Sequence, residues 1–451
     1  MSEPPWAEDL FIIPQGEDRY FLYAPLRRQV AVVNGAAAAA VARWQAQGRE
    51  TLRADELPVL DELQRQGFCT GPAPAPPLFP DDYTFQPHEV TLFLTSRCNL
   101  RCRYCYADAG RKSVELAWPA ARAAIDLVAV NAGLLGSPVF GVGFHGGGEP
   151  TVAWDSLAQC VAYAEAQAER LGLDVSLYAA TNGLLSPDKR AFLCEHFDTV
   201  NVSLDGPDDI QDWNRPTAGG GGSYAGVAES IRDFEAHGLH YGIRATITAR
   251  SVHRMSEIVD HICGQFRPAY LHLEPAWSCG RCLTTGEEGP AQAAFLMHYP
   301  GAVARGRQHG VAVHYSGARM DTLTSKFCAA PGDSFTVLPE GIVTSCYEVT
   351  EPDDPRAAIF HYGKFDEGAG AYVFDAERLR HLRSLSVDHL AYCQDCFCKW
   401  HCAGDCLAKV FRASGAPAHR GSERCTLNRA LTRVAIEESV AAGSEGGWAD
   451  A

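Results

Sequence analysis

The sequence predicts an α/β protein built on parallel βα units, and three observations carry that expectation. Six short strand-like runs, at 90–95, 139–144, 175–179, 199–204, 241–247 and 270–273, recur through the middle of the chain. Stretches with helical periodicity, such as 155–170 and 224–237, separate them. A proline-rich run precedes this array and a cysteine-rich region follows it, so the array reads as the central one of several domains. Strands alternating with helical segments in this way form crossover units, arranged either as a barrel or as an open sheet.

From the amino terminus, the first seventy residues read as a separate small unit. Strands are expected around 20–23 and 30–33, with helices over 36–47 and 54–66, an order similar to a small winged-helix fold. The run GPAPAPPLFP at 71–80 holds five prolines, which disfavours helix and favours an extended spacer of roughly 30 Å at about 3.1 Å per residue. The expected divisions are 1–75 for the small unit, 76–88 for the linker and 89–310 for the βα array. A cysteine-rich domain over 311–430 and a terminal helix and tail over 431–451 follow.

Lys and Arg total 39 against 55 Asp and Glu, a formal charge of −16, and no basic stripe stands out, which argues against nucleic acid as a partner. The opening MSEPPW lacks a charged segment followed by an apolar one, and no run approaches the ~20 apolar residues that span a bilayer. A cytoplasmic protein with no membrane partner is expected. Among reducing thiols, 17 cysteines point to metal or catalytic roles rather than disulfides.

The first strand is followed by Thr95-Ser96-Arg97-Cys98-Asn99-Leu100-Arg101-Cys102-Arg103-Tyr104-Cys105-Tyr106, placing three cysteines on a loop at its carboxyl end, where parallel α/β architectures carry function. Three thiolates with gaps of three and two residues can converge on one iron–sulfur cube and leave its fourth iron unclaimed; taken alone they would also suit zinc. The second strand ends in Phe144-His145-Gly146-Gly147-Gly148-Glu149-Pro150, where a carboxylate beside bare backbone suits an ammonium group. Gly141, Gly143 and Gly146 satisfy a dinucleotide fingerprint, but two of them fall inside the strand and Pro150 interrupts the helix start, so that reading is set aside. Thr181-Asn182-Gly183 and Ser203-Leu204-Asp205-Gly206 end the third and fourth strands. Arg215 and Arg244 each offer a guanidinium fork that matches a carboxylate. The glycine run at 219–222 lacks phosphate-loop spacing and is expected to be a flexible loop.

This set of motifs resembles the radical S-adenosylmethionine (SAM) superfamily. The resemblance implies a partial (β/α)6 barrel, a [4Fe–4S] cluster on Cys98, Cys102 and Cys105 whose open iron binds SAM, and release of a 5′-deoxyadenosyl radical. It places Tyr104, Gly147, Gly148, Glu149, Asn182, Ser203 and Arg215 around the cofactor. It also implies an electron donor such as flavodoxin or ferredoxin.

Downstream, Cys328, Gly341 and Cys346 precede Cys393-x2-Cys396-x5-Cys402-x3-Cys406 and a distal Cys425. This spacing resembles the seven-cysteine SPASM extension of radical SAM enzymes that act on peptides and proteins. The likeness implies two auxiliary [4Fe–4S] clusters, three clusters in all. One would use Cys328, Cys346 and Cys406, the other Cys393, Cys396, Cys402 and Cys425. The fourth ligand that relatives supply to the first of these is absent from Thr322-Leu323-Thr324. Cys279 or Cys282 is the candidate to fill it, unless that iron stays open. Cys398 departs from the pattern and could displace Cys396 or remain a spare thiol, the spacing favouring Cys396, and His401 among these cysteines would suit zinc. Cys69, Cys160, Cys194 and Cys263 are isolated and read as small buried hydrophobes.

The amino-terminal unit resembles the leader-recognition domains of peptide maturases, which would grip an extended leader along a strand edge. The expected function is oxidative cross-linking, thioether or C–C, of a ribosomally made precursor peptide. Glu274, Asp205 and Glu348 are candidates to remove the accompanying proton at the barrel mouth. Three alternatives stand beside it. The sulfatase-maturing branch makes formylglycine and places an aspartate after the second auxiliary cysteine, where Tyr347 stands here. A peptide epimerase would use Cys279 or Cys282 to return a hydrogen atom. A non-enzymatic, zinc-binding regulatory protein is the alternative from another class.

Overall fold

The computed structural model describes residues 9–68, 74–78, 84–332, 334–415 and 421–441. The chain start, Cys69, both ends of the proline-rich run and the tail beyond 441 lie outside them.

The amino-terminal unit opens with three antiparallel strands in the order β1 (Phe11–Pro14), β2 (Tyr20–Ala24), β3 (Gln29–Val33), followed by α1 (Gly35–Gln47) and α2 (Leu57–Arg65). α1 begins where the Asn34 side chain accepts from the Ala37 N–H at 2.9 Å, satisfying one of the free donors of the first turn. Alternation along β2 decides the packing. Leu22 and Ala24 bury against Val41, Trp44, Leu60 and Leu63, whereas Phe21 and Tyr23 share a core with Ile436, Phe397 and Met320 far along the chain. The unit thus has a core of its own and shares a second, smaller one with residues from 320 onward. Tyr23 hydrogen-bonds His401, and the Asp9 carboxylate accepts from the Leu26 N–H at 2.7 Å and from Trp400 Nε1 at 3.1 Å.

The central array runs β4 (Glu89–Phe93), α3 (Trp118–Leu135), β5 (Val139–His145), α4 (Trp154–Leu171), β6 (Asp174–Thr181), α5 (Pro187–His196), β7 (Thr199–Ser203), α6 (Asp208–Asn214), α7 (Tyr224–His237), β8 (His240–Ile247), α8 (Met255–Gln265) and β9 (Tyr270–Pro275). Its six strands are parallel and neighbour one another in chain order. After α9 (Cys282–Thr285) and α10 (Gln292–His309), β10 (Ala312–His314) adds in parallel to β9. At the other edge β11 (Thr336–Val337) pairs parallel to β4, and β12 (Ile342–Thr344), β13 (His361–Asp366) and β14 (Ala371–Phe374) continue antiparallel, with α11 (Ala357–Phe360) between β12 and β13. α12 (Ala376–Arg383), α13 (Lys399–Cys402), α14 (Leu407–Ser414) and α15 (Glu423–Ala441) complete the chain. The sheet, β10-β9-β8-β7-β6-β5-β4-β11-β12-β13-β14, keeps two edges and forms a partial barrel. Among the described residues no helix is long and apolar enough to cross a membrane.

One strand face packs on the helices: Leu92, Val142, Leu177, Val200, Ile243 and Leu271 are all buried there. The other face is polar and lines an open lumen. Thr91 and Tyr178 are hydrogen-bonded to each other on it, as are Tyr270 and Asn201, and Phe93 stacks on His145. Gly143 makes room for this arrangement, because a Cβ there would stand 1.8 Å from the Tyr178 ring.

Candidate active site

The loop after β4 that carries Cys98, Cys102 and Cys105 is fixed from three sides. From the end of β5, Gly148 approaches so closely that a Cβ would lie 2.2 Å from the Arg97 carbonyl oxygen, and the Glu149 N–H donates to that oxygen at 2.9 Å. From the segment after α6, the carbonyls of Asn214 and Pro216 accept from the N–H groups of Arg103 and Arg101 at 2.9 and 2.7 Å, and the Ala218 N–H donates to Asn99 at 2.8 Å. The glycine run expected to be flexible is thereby anchored at its start. From the segment after β9, Arg281 donates to Asp108 Oδ1 (2.8 Å), to the Cys102 carbonyl (3.0 Å) and to the Ala109 carbonyl, while its own N–H donates to Cys105 at 2.9 Å. Sequence reasoning missed Arg281; its position between two cysteines was the available signal.

The three thiols lie within one another's electrostatic reach. Burial pushes Cys98 up to about 11, with the nearby Glu149 charge adding, and pushes Cys102 up to about 12 against the pull of Arg215. Donors nevertheless face the sulfurs: the Leu100 N–H at 3.4 Å and Asn182 Nδ2 at 3.8 Å from Cys98, and the Ala109 N–H at 3.5 Å from Cys105. Thiols crowded in this way ionise together only when a cationic guest offsets the burial, so the donor set fits an iron–sulfur cluster.

Glu149 is buried and held by four donors: the Thr151 hydroxyl (2.8 Å) and N–H (3.2 Å), the Thr181 hydroxyl (2.8 Å) and the Asn182 N–H (2.7 Å). Burial still raises its carboxyl. Asn182 reaches back to Asn99 at 2.7 Å, and Gly147 sits beside Phe93 and Thr350.

Two expectations need correction. Tyr104 donates to Asp205, which is fully buried and also accepts from Asn214 Nδ2 (2.9 Å), Arg215 Nε (3.1 Å) and the Thr246 N–H (2.9 Å). Arg215 also lies 5.2 Å over the Tyr104 ring. A buried charge requires this closure, so Arg215 is not free for a cofactor carboxylate and Asp205 is not free as a base. Arg244 is the open guanidinium. It pairs in register with Ser203 and is exposed, and its guanidinium makes no hydrogen bond or ion pair among the described residues.

Glu274 accepts from the Ser316 N–H at 2.9 Å and lies 3.1 Å from His272 Nε2. Burial raises its carboxyl, but the His272 bond and the charges of His272, Lys409 and Arg244 outweigh it and hold the group well below the usual range, which weakens it as a base. Glu348 is half-buried, the most accessible carboxylate of the three, 3.9 Å from Lys409 and 3.7 Å from Arg356.

In the cysteine-rich region, Cys346 feels Cys406 and Cys328, and all three feel Glu348. Cys393, Cys396, Cys402 and Cys425 line one small cavity with Asn428 and Arg429. Asn428 Nδ2 donates to Cys402 at 3.2 Å and Arg429 Nε to Cys396 at 3.4 Å. A hydrogen bond from Cys398, with Arg429 adding, brings Cys396 down to about 6, while burial keeps Cys398 protonated. The two groups are tied by a buried ion pair absent from the sequence reading, Arg424 on Asp405 at 2.9 and 3.0 Å, each member next to a motif cysteine. Cys279 feels Glu348 and Cys282; Cys282 feels Cys105 and points its S–H at the Trp277 carbonyl, 3.3 Å away. The His401 ring is occupied by Tyr23 and by the carbonyls of Arg319 and Thr322. Among the described residues no three Cys, His, Asp or Glu side chains converge tightly enough for a single metal ion. A four-iron cube does not need that, because each ligand binds a different iron.

Residues 92–261 match the family described as the Radical SAM superfamily. The serine-type anaerobic sulfatase-maturating enzyme of Klebsiella aerogenes is 24% identical over 326 residues, 69% of this chain and 78% of its own. Fe-coproporphyrin III synthase of Methanosarcina barkeri is 32% identical over 173 residues, 37% of this chain and 39% of its own. Among solved structures, anSMEcpe with bound AdoMet superposes with a TM-score of 0.62 at 16% identity, covering 79% of this chain and 95% of that one. Streptococcus suis SuiB bound to S-adenosylmethionine gives 0.55 at 14%, covering 93% and 99%. At these identities the structures attest the fold alone, and the family match falls on the loop and strands that carry Cys98, Cys102, Cys105 and Glu149. Over residues 92–261 the chain carries a Radical SAM superfamily domain, which makes it an enzyme.

Proposed function

We propose that this enzyme cross-links a ribosomally made precursor peptide oxidatively, through a thioether or carbon–carbon bond, using SAM and three [4Fe–4S] clusters. The amino-terminal unit is the observation that carries the reading. β3 is an edge strand, so one row of its backbone donors and acceptors is unpaired. It borders a groove of about 730 Å³ lined by Val32, Asn34, Ala37, Arg53, Val59 and Glu62, with Val32 44% exposed. An extended peptide can add there as a fourth strand. The SuiB structures cover 93% of this chain, and the remaining 7% is smaller than this unit, so SuiB has a counterpart to at least part of it; one SuiB structure is bound to the precursor peptide SuiA.

Within the barrel, Glu149, oriented by Thr181 and Asn182, takes the amino group of SAM, and Arg244 beside Ser203 takes its carboxylate. When bound, the cofactor and reduced cluster supply a carbon-centred radical. An electron donor such as flavodoxin or ferredoxin supplies the electron. Cys328, Cys346 and Cys406, and separately Cys393, Cys396, Cys402 and Cys425, hold the auxiliary clusters.

A second reading, oxidation of cysteine or serine to formylglycine, is favoured by the 24% identity that extends over 69% of this chain. Tyr347 weighs against it. Its hydroxyl is hydrogen-bonded to Thr91 at 3.0 Å, its ring lies 4.6 Å from His145, and burial raises its phenol, so the position after Cys346 offers no base.

Anaerobic incubation with reductant, SAM and small peptides encoded beside the gene tests both readings by mass. Loss of two hydrogen masses with a fragmentation-resistant link supports cross-linking, an aldehyde at one residue assigns formylglycine, and no change in mass points to epimerisation. Turnover that survives joint replacement of Cys98, Cys102 and Cys105 by alanine would overturn every version.

A further inference from the structure

We propose that the carboxylate of Glu348 is the fourth protein ligand of the first auxiliary cluster, completing Cys328, Cys346 and Cys406. This inference rests on the auxiliary-cluster reading above.

Two of the three segments expected to supply that ligand, 322–324 and Cys282, are committed elsewhere. The Thr322 carbonyl accepts from the His401 ring at 3.1 Å and the Thr324 N–H donates to Trp400 at 2.9 Å, which draws this stretch toward α13 and the amino-terminal unit. Cys282 points at the Trp277 carbonyl, next to the Arg281 bonds that hold it against the radical-cluster loop. Cys328, Cys346 and Cys406 have Glu348 as a common neighbour, and Cys279, which also feels Glu348 and Lys409, is the competing candidate that the test below separates from it.

The chain itself sets Glu348 beside Cys346 and, through Lys409, near Cys406. Glu348 follows Cys346 by two residues, with Tyr347 between them turned into the lumen against His145. Its Oε1 lies 3.9 Å from Lys409 Nζ, one helical turn beyond Cys406, and its Oε2 3.7 Å from Arg356 Nη1. Both distances exceed hydrogen-bond reach, and among the described residues the carboxylate accepts no hydrogen bond although only 22% of the side chain is exposed. A carboxylate so enclosed and so loosely held has its lone pairs available to a metal. As a harder ligand than thiolate it also makes one corner of the cluster more readily exchanged.

The test uses the full chain with Cys98, Cys102 and Cys105 replaced by alanine, so that the auxiliary clusters alone are seen after anaerobic reconstitution with iron and sulfide. Glu348→Gln, Glu348→Cys, Cys279→Ala and Cys282→Ala are compared by iron content, electron paramagnetic resonance of the reduced protein and midpoint potential. Glu348→Gln is expected to alter the resonance and to open an iron that binds added cyanide. Glu348→Cys is expected to keep the full iron content and move the potential negative. Both cysteine variants are expected to match the parent. A spectrum that moves in Cys279→Ala or Cys282→Ala while Glu348→Cys matches the parent overturns the assignment, as does a spectrum unmoved in all four. Iron far below about eight per chain in the parent overturns the auxiliary-cluster reading itself and this ligand with it.

Discussion

Arg215 and Arg244 show how much one side chain's surroundings decide. Both were equivalent by sequence, each a guanidinium near the end of a barrel strand. Arg215 is sealed against Asp205 and Tyr104, while Arg244 stands open in the lumen beside Ser203. Replacing Arg215 with alanine strands a buried carboxylate and is expected to cost about 3–5 kcal/mol, read from the denaturant midpoint. Arg244→Ala is expected to leave stability within about 0.5 kcal/mol, since no partner is lost. Removal of a charge-assisted pair of about 1.5–3 kcal/mol should instead weaken SAM binding roughly tenfold to a hundredfold by calorimetry. Unchanged SAM affinity in that variant would remove Arg244 from the site.

At the scale of elements, the segment between β9 and α9 behaves as a strap over the radical-cluster loop. Four Arg281 contacts reach Cys102, Cys105, Asp108 and Ala109, and Gly280, at φ +52°, leaves only 2.2 Å between a Cβ and the Cys105 carbonyl oxygen. Arg281→Gln is expected to speed amide hydrogen exchange across 102–109 while β4 keeps its protection, and Gly280→Ala to do so more severely. Equal exchange in both variants and the parent would show that the loop holds itself. The six barrel strands were legible because each is a short apolar run bounded by turn residues. β11, with two residues, was not, since its strand character comes from pairing with β4 rather than from local preference.

Across the whole molecule, the amino-terminal unit is joined to the cysteine-rich region through Asp9, Tyr23, Trp400 and His401. Burial outweighs the hydrogen bonds from Leu26 and Trp400 and raises Asp9 from 3.8 to about 6. Between those values the folded, docked state binds more protons than the unfolded chain. The contribution is therefore full below about pH 4, declines as pH rises, and is lost above about 6, a change on the order of 3 kcal/mol. Hydrogen exchange of β2 should accelerate between pH 4.5 and 6.5, after correction for intrinsic rates, and Asp9→Asn should flatten that dependence. Parallel pH profiles for the two proteins would show that Asp9 does not set it.

The sequence alone determined the parallel βα array, the three-cysteine loop at its carboxyl edge and the crowding of cysteines downstream, because period, turn chemistry and residue spacing are local properties of the chain. Only the tertiary structure decided which arginine is free, which carboxylates are sealed, that Arg281 clamps the loop, and that Tyr23 meets a histidine 378 residues away. Those outcomes depend on burial and on partners brought together by folding, and neither is encoded in the spacing of neighbouring residues.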